Sequence, residues 1–313
     1  MPQKVSSHTG LIDMTKIVVV QPVGLLPSQK VRLEKFGKIT YYDERTKSVD
    51  EWLERTTGHD IILTGVFGIT AKWQELRDVF VSLPFVGVGW ADPKVLKANN
   101  VTISNSPGCN KHAVCEWIIG MLLMMTRQLD HYLNIRELPF NKMPPQAFGL
   151  PGKNITVLGR GNIGSRVGDV AKAFGMNVTF FERSDELIEK VKDADVIIDA
   201  LSSKPETQDL LNKSFFNALK GGVYFITVSA GKVLDVDEMF RALDNGKLKL
   251  AAHDAFMAGD TSDVLYQKIL KHPKVYATPH IAYNTDEAER TGNDMMIDNV
   301  EAWLKGKPIN VVS

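Results

Sequence analysis

Three sets of residues in this 313-residue chain have types and spacing that could do chemistry. The first is Gly159-Arg160-Gly161-Asn162-Ile163-Gly164, which follows the β-favouring run Ile155-Thr156-Val157-Leu158 and precedes a helix-like stretch, Ser165 to Phe174. In such a strand–turn–helix the first glycine makes the tight turn and the second lets a pyrophosphate approach the backbone. The third lets helix pack on strand, so the helix N-terminus faces the phosphates. The second set is Glu182 with Arg183, at the end of the next predicted strand and about 20 residues past the glycines, where a dinucleotide site needs an acid. A carboxylate there accepts hydrogen bonds from ribose hydroxyls and repels a 2′-phosphate, which favours NAD. Arg183 and Ser184 are what a 2′-phosphate would take, so NADP stays open, as does a merely solvated strand end. The third set is Asp254 and His280, each ending a predicted strand, at the edge where open α/β sheets place ligands. Histidine is the natural proton donor for reducing a carbonyl near neutral pH. Asp254 would hold a nicotinamide carboxamide or cap the next turn, and His253 would face the other way along a continuing strand.

The elements that must position these groups alternate. Strands are expected at Lys16–Gln21, Ile39–Tyr42, Asp60–Thr64, Phe85–Gly89 and Val101–Ser104, with helices at Ser28–Phe36, Val49–Thr56 and Thr70–Val79. The third strand runs into the loop Gly65-Val66-Phe67-Gly68. A long apolar helix, Lys111 to about Gln128, leads to a loop bracketed by Pro144-Pro145 and Pro151-Gly152. Further strands are expected at Asn154–Leu158, Asn177–Phe181, Val196–Ala200, Gly222–Val228, Leu250–Asp254 and Val275–Ala277, and a last helix at Thr291–Leu304. Strands separated by helices argue for parallel sheets covered on both faces.

Composition narrows the function classes. Lys plus Arg and Asp plus Glu number 37 each, so charge gives no reason to expect a nucleic-acid or anionic-membrane partner. Two cysteines, Cys109 and Cys115, cannot staple a scaffold, which makes a reducing cytoplasm the default. No second Cys/His cluster completes a metal site, and no metal is expected. Residues 1–13 lack the apolar core of a signal peptide and read as a disordered leader. The apolar stretch Ala113–Met125 is too short for a bilayer and reads as a buried or interface helix.

Together these pieces resemble the D-isomer-specific 2-hydroxyacid dehydrogenases, over nearly the whole chain from about residue 16. The resemblance rests on Val86-Gly87-Val88-Gly89 with Asn105-Ser106-Pro107-Gly108, on Gly159–Gly164, and on Pro205-Glu206-Thr207. Asp254, Thr278-Pro279-His280, Asn299, Gly306-Lys307-Pro308 and Val311 complete it. It implies an α/β protein with a Rossmann-type dinucleotide-binding domain, residues 106–281, inserted into a flavodoxin-like substrate domain, residues 1–105 plus 282–313. Hydride would pass between nicotinamide C4 and C2 of a small 2-oxo or 2-hydroxy acid while His280 moves the proton. Fingerprint residues Gly159, Gly161, Asn162, Ile163 and Gly164 would bind NAD with Glu182 and Arg183. Leu201, Ser202, Thr207, Val228, Ser229, Ala230, Asp254, His280 and Ala282 would line the rest of the cofactor. Amide groups of Gly65, Val66, Phe67 and Gly68 would take the substrate carboxylate. A homodimer through the nucleotide domain, using the long apolar helix, is also implied.

The chain departs from that family at two positions. Ala230 stands where relatives carry the arginine that grips the substrate carboxylate and keto oxygen, and Gly259 stands where they carry the glutamate that pairs with the histidine. A methyl group cannot replace a bidentate guanidinium contact. Lys232 could bring in a cation, against its plain reading as a solvated turn lysine. Asp260 could pair with His280 after a one-residue slip, against a loop or cap carboxylate. The readings are therefore a NAD-dependent oxidoreductase that is weak or adapted to an unusual substrate; an impaired NAD(H)-binding relative acting as sensor or scaffold; and an NADP-linked reductase of a substrate without a carboxylate.

Overall fold

A computed structural model describes residues 15–133, 146–229, 232–254 and 264–312. The leader 1–13, Pro144-Pro145, Ala230 with Gly231, and Gly259 with Asp260 lie outside the described residues. The chain divides into two units, Met1–Asn110 with Asn284–Ser313, and Lys111–Tyr283.

In the first unit, strands β1 (Lys16–Val19), β2 (Lys38–Tyr41), β3 (Ile61–Leu63), β4 (Phe80–Ser82) and β5 (Thr102–Ser104) form a parallel sheet in the order β2-β1-β3-β4-β5. That is the flavodoxin-like order, whose switch point lies between β1 and β3. Helices α1 (Pro27–Leu33), α2 (Val49–Thr56), α3 (Ile69–Lys72) and α4 (Pro93–Ala98) connect the strands. Ser48 starts α2 by accepting from Glu51 N–H, and Asp92 starts α4 by accepting from Lys94 N–H.

The expected strand at Phe85–Gly89 does not form; Phe80–Ser82 takes its place between β3 and β5. Phe80, Val81 and Ser82 are all buried, whereas Gly87 and Gly89 have no side chain to pack on a sheet face. The same competition shortens the helix expected to reach Val79: Leu76 is already extended, and Asp78 turns the chain with φ +54°.

Chain ends far apart in sequence complete this unit. The last helix of the chain, Asp286–Leu304, lies over the sheet, where Phe80 and Trp303 stack at 4.6 Å. Asn299 Nδ2, fully buried, donates to Ser82 Oγ and to the Asn105 carbonyl, while its Oδ1 accepts from Asn310 Nδ2.

In the second unit, α5 (Lys111–Arg127) and α6 (Leu129–Leu133) precede β6 (Asn154–Leu158), α7 (Asn162–Ala173), β7 (Asn177–Phe181), α8 (Leu187–Val191) and β8 (Val196–Asp199). Then come α9 (Lys213–Ala218), β9 (Val223–Thr227), α10 (Val236–Asp244), β10 (Leu248–His253), α11 (Val264–Lys271) and β11 (Val275–Ala277); the C-terminal helix is α12. The sheet is parallel, in the order β11-β10-β9-β8-β6-β7. Strands β8 and β9 are buried throughout because apolar clusters cover both faces, which is why they read as unbroken apolar runs. The order departs from the 3-2-1-4-5-6 of a complete dinucleotide fold: β7 is the edge, and residues 182–195 with the short α8 lead directly to β8.

Register aligns the strand ends. Leu158 pairs with Phe181 and Asp199, Asp199 with Thr227, Thr227 with His253, and His253 with Ala277. Gly159, Glu182, Val228, Asp254 and Thr278 therefore leave the sheet along one carboxyl edge.

Asn299→Ala is expected to lower stability by about 2 kcal/mol, because it removes the buried amide that donates to Ser82 Oγ and to the part-buried Asn105 carbonyl. Thermal or urea unfolding would show this; an unchanged midpoint would mean that Asn299 does not hold α12 to the sheet.

Candidate active site

Steric facts build the turn at the start of α7. Gly159 has φ +91°, and a Cβ there would lie 3.0 Å from the Ala200 carbonyl oxygen. A Cβ on Gly164 would lie 1.9 Å from the Gly159 carbonyl oxygen, so only glycine lets α7 sit this close to β6. Gly161 differs: a Cβ there would meet nothing within 4 Å, which leaves open space over the turn. It caps α7 without a side-chain hydrogen bond, so no cap side chain competes for the first-turn amides. Asn162 is exposed beside it, whereas Ile163 packs into the core. The pocket at this helix start is lined by Lys111, His112, Arg160, Gly161, Asn162, Ser165, Arg166 and Asp169, with three cations against one acid. Open backbone, unspent amides and surrounding cations fit a dinucleotide diphosphate.

At the end of β7, Arg160 Nη1 stands 3.2 Å from Glu182 Oε1. The Arg160 guanidinium lies 4.9 Å from the Phe180 ring centre, and Phe180 in turn presses on α7 where Gly168 has no Cβ. Arg183 pairs with Glu206. Glu182 N–H donates to Asp185 Oδ2 at 2.8 Å, and that bond, aided by Lys190, holds the Asp185 carboxyl below the usual range.

On the other side of the sheet's midline, Asp254 is buried and organises the segment carrying His280. Its Oδ1 accepts from the Thr278 hydroxyl and from Ile281 N–H at 2.9 Å, and its Oδ2 accepts from Ala282 N–H at 2.7 Å. These bonds leave one acceptor site on Asp254 for a cofactor amide. Its main visible work is to clamp the loop. His280 adopts φ +53°, a conformation uncommon for a residue with a side chain, and its ring meets Tyr283 edge-on at 5.4 Å. Ala282 is buried in the core, so the loop is anchored just beyond the histidine. His253 is buried, and desolvation pushes its pKa down to about 4, so it is neutral at pH 7.

Between these two regions lies a group that the sequence reading passed over. Asp199, the last residue of β8, is fully buried, and burial pushes its carboxyl pKa up. Its Oδ2 accepts from Thr227 Oγ1 at 2.8 Å, and its Oδ1 lies 2.6 Å from Ser229 Oγ. Ser229 Oγ also lies 2.9 Å from the Leu201 carbonyl, which only accepts. One hydroxyl proton cannot serve two acceptors. A protonated Asp199 resolves the count: it donates to Ser229, which donates to Leu201. The visible signal was an acid ending the apolar run Val196-Ile197-Ile198. The network fixes Ser229 beside Val228, one residue before Ala230. Leu201 is half-buried and Ser202 exposed; Thr207 spends its hydroxyl within its own loop, donating to the Ser202 carbonyl at 2.7 Å and accepting from Lys204 N–H. Lys232 is exposed, and its carbonyl accepts from Asp209 N–H.

In the first unit, Gly65–Gly68 follows β3 at the switch point beside β1. Val66 and Phe67 are exposed. Gln21, just after β1, donates to the Phe67 carbonyl at 3.4 Å. Gly68 has φ +83°, and a Cβ there would enter the Trp52 ring; Trp52 Nε1 donates to Thr64 Oγ1, which holds the loop's start. Among the described residues, no group of three or more His, Cys, Asp or Glu side chains could hold a metal ion, and no helix is long and apolar enough to cross a membrane. Cys109 and Cys115 are free thiols, both buried.

A protonated buried acid has a definite pH signature. With its folded pKa raised, Asp199 contributes stability that is full below the ordinary carboxyl pKa and falls as pH rises through the folded value. Asp199→Asn should therefore gain on the parent in melting temperature from pH 5 to pH 8; a relative loss at pH 8 would show an ionised, satisfied carboxylate. Asp254→Ala leaves three donors without an acceptor and is expected to cost about 3 kcal/mol of stability, read by urea unfolding. A cost below about 1 kcal/mol would mean that water replaces the clamp.

Residues 119–282 match the family model described as "D-isomer specific 2-hydroxyacid dehydrogenase, NAD binding domain". The chain is 28% identical over 332 residues to a hydroxypyruvate reductase of Blautia hydrogenotrophica, covering 95% of this chain and 99% of that one. It is 27% identical over 297 residues to a D-3-phosphoglycerate dehydrogenase of Haemophilus influenzae, covering 89% and 72%. It spans about half the length of two yeast D-3-phosphoglycerate dehydrogenases that it also matches. An acyclic imino acid reductase solved with NADPH and D-Arg superposes with a TM-score of 0.83 at 22% identity, covering 96% of this chain and 100% of that one. A D-lactate dehydrogenase from Treponema pallidum superposes at 0.77 and 21%, covering 96% and 100%. These likenesses in structure establish the shared two-domain fold. With the family match covering more than half of its length, this chain belongs to the D-isomer-specific 2-hydroxyacid dehydrogenases, with a nucleotide-binding domain of the NAD(P) type.

Proposed function

We propose that this chain is a NAD(H)-dependent oxidoreductase acting at C2 of a small 2-oxo or 2-hydroxy acid, with His280 as acid and base. The observation that carries the reading is the His280 segment, held by the buried Asp254 on the same carboxyl edge as the Gly159–Gly164 turn. Bound NAD(H) supplies or accepts the hydride at nicotinamide C4. The chain's own residues do the rest. In reduction, His280 as imidazolium gives a proton to the C2 oxygen; in oxidation, neutral His280 takes it back. The first-turn amides of α7 hold the diphosphate, Glu182 meets the ribose, and Val228 and Ser229 line the path toward the substrate. Residues Gly65 to Gly68 offer amides to a carboxylate from the switch point of the substrate unit. The likeness to a hydroxypyruvate reductase over nearly the whole of both chains makes hydroxypyruvate the first acid to try.

Ala230 gives the second reading its ground. Without the guanidinium of its relatives the site lacks a contact worth about 3 kcal/mol at the transition state. The outcome would be slow turnover, an unusual substrate, or a chain that binds NAD(H) as a sensor or scaffold. Lys232 would bring a cation in place of the arginine, and Asp260 would pair with His280 in place of the glutamate of relatives. A homodimer through α5 and a cytoplasmic setting belong to the same proposal. The test follows NADH absorbance with hydroxypyruvate, glyoxylate, pyruvate and bulky 2-oxo acids, for the parent, His280→Ala and Ala230→Arg. The expected result is turnover that His280→Ala lowers about a hundredfold or more and Ala230→Arg raises. A parent that binds NADH and turns over none of the panel would favour the sensor reading.

A further inference from the structure

The adenosine end of the nucleotide unit carries two cations and two acids already matched with each other. Glu182, where a ribose is expected, reaches that place with Arg160 at 3.2 Å, and Arg183 is matched with Glu206 of the following loop. A bare acid at the end of β7 excludes a 2′-phosphate by repulsion, and an unpaired arginine invites one. Here neither condition holds.

Resting on the cofactor reading above, we propose that Arg160 sets cofactor preference in this chain: by neutralising Glu182 it admits the 2′-phosphate of NADPH alongside the 2′-hydroxyl of NADH. Arg160 lies between the first two glycines of the turn and also lines the pocket at the start of α7, so it stands beside the diphosphate as well as beside Glu182. Its guanidinium is kept there by the Phe180 ring, which Gly168 allows to lie against α7; Lys172 approaches the same ring at 6.0 Å. The pair itself is half exposed on both sides, and such pairs open at little cost. A doubly charged phosphate is a stronger partner for a guanidinium than one carboxylate. With NADH, Glu182 accepts from the ribose hydroxyls while Arg160 stays where it is. With NADPH, Arg160 turns from Glu182 to the phosphate.

Few other residues can read this position. Asp185 is turned inward onto Glu182 N–H and is paired with Lys190, so the turn after β7 is closed on itself. Among the described residues, no strand lies beyond β7 to bring in a further side chain. Arg183 is the rival cation, and its bond to Glu206 ties it to the loop that Thr207 closes.

The test is equilibrium binding of NADH and NADPH by fluorescence to the full chain without substrate, so a chain that binds cofactor and turns over nothing still yields the ratio. The parent should bind the two with dissociation constants within about tenfold of each other, and Arg160→Met should weaken NADPH at least about tenfold more than NADH. Glu182→Gln should move the ratio the opposite way. Circular dichroism and melting of each variant check that it is folded. The proposal is overturned if the parent rejects NADPH by more than about a hundredfold, or if Arg160→Met leaves the ratio unchanged. It is likewise overturned if Arg160→Met weakens both cofactors equally, which would place Arg160 on the diphosphate. It also fails if Arg183→Met, and not Arg160→Met, shifts the ratio.

Discussion

No side-chain atom fits between Gly164 and the carbonyl of Gly159, and the chemistry of the nucleotide unit depends on that contact. A Cβ at Gly164 would lie 1.9 Å from the Gly159 oxygen. Because it is absent, α7 starts directly over the end of β6 with its first amides pointing out of the sheet. Parallel pairing then carries the same edge across the sheet, so that Glu182, Val228, Asp254 and Thr278 leave their strands at one level. A one-residue slip in any of these registers would move its strand-end group to the opposite face.

The carboxyl edge of this sheet holds three buried ionisable groups, and each is stabilised differently. Asp254 is met by one hydroxyl and two backbone N–H groups. Asp199 is met by two hydroxyls and one N–H, with a carbonyl competing for a proton, which favours the neutral acid. His253 is neutral because desolvation penalises its cation. The edge beside His280 is therefore held by specific hydrogen bonds, with His253 kept neutral next to them. In the proposed reaction this has a chemical use, since a residue at φ +53° must be held by its surroundings.

Much of the fold was legible in the sequence, for local reasons. The strands Asn154–Leu158, Asn177–Phe181 and Val275–Ala277 and the helix Val49–Thr56 form where they were expected, since apolar runs and helix spacing are local signals. The strand at Phe80–Ser82 was not legible. Three residues carry too little pattern, and Phe85–Gly89 alternates more convincingly; a slot in the sheet and full burial decided between them. The missing strand beyond β7 showed only as a short connection between Glu182 and Asp195.

The site divides in the same way. The sequence by itself determined the glycine turn, the acid after β7, the aspartate after β10 and the histidine after β11, because each is a residue type at the end of an element. Only the tertiary structure decided what those residues touch. It turned Asp254 into the clamp of the His280 segment, brought Asp199 and Ser229 together from 30 residues apart, and matched Arg160 with Glu182 across 22. Pairings of this kind are contacts between separate strand ends. Neither spacing nor composition records them, because they exist only once parallel register has brought those ends to a common edge.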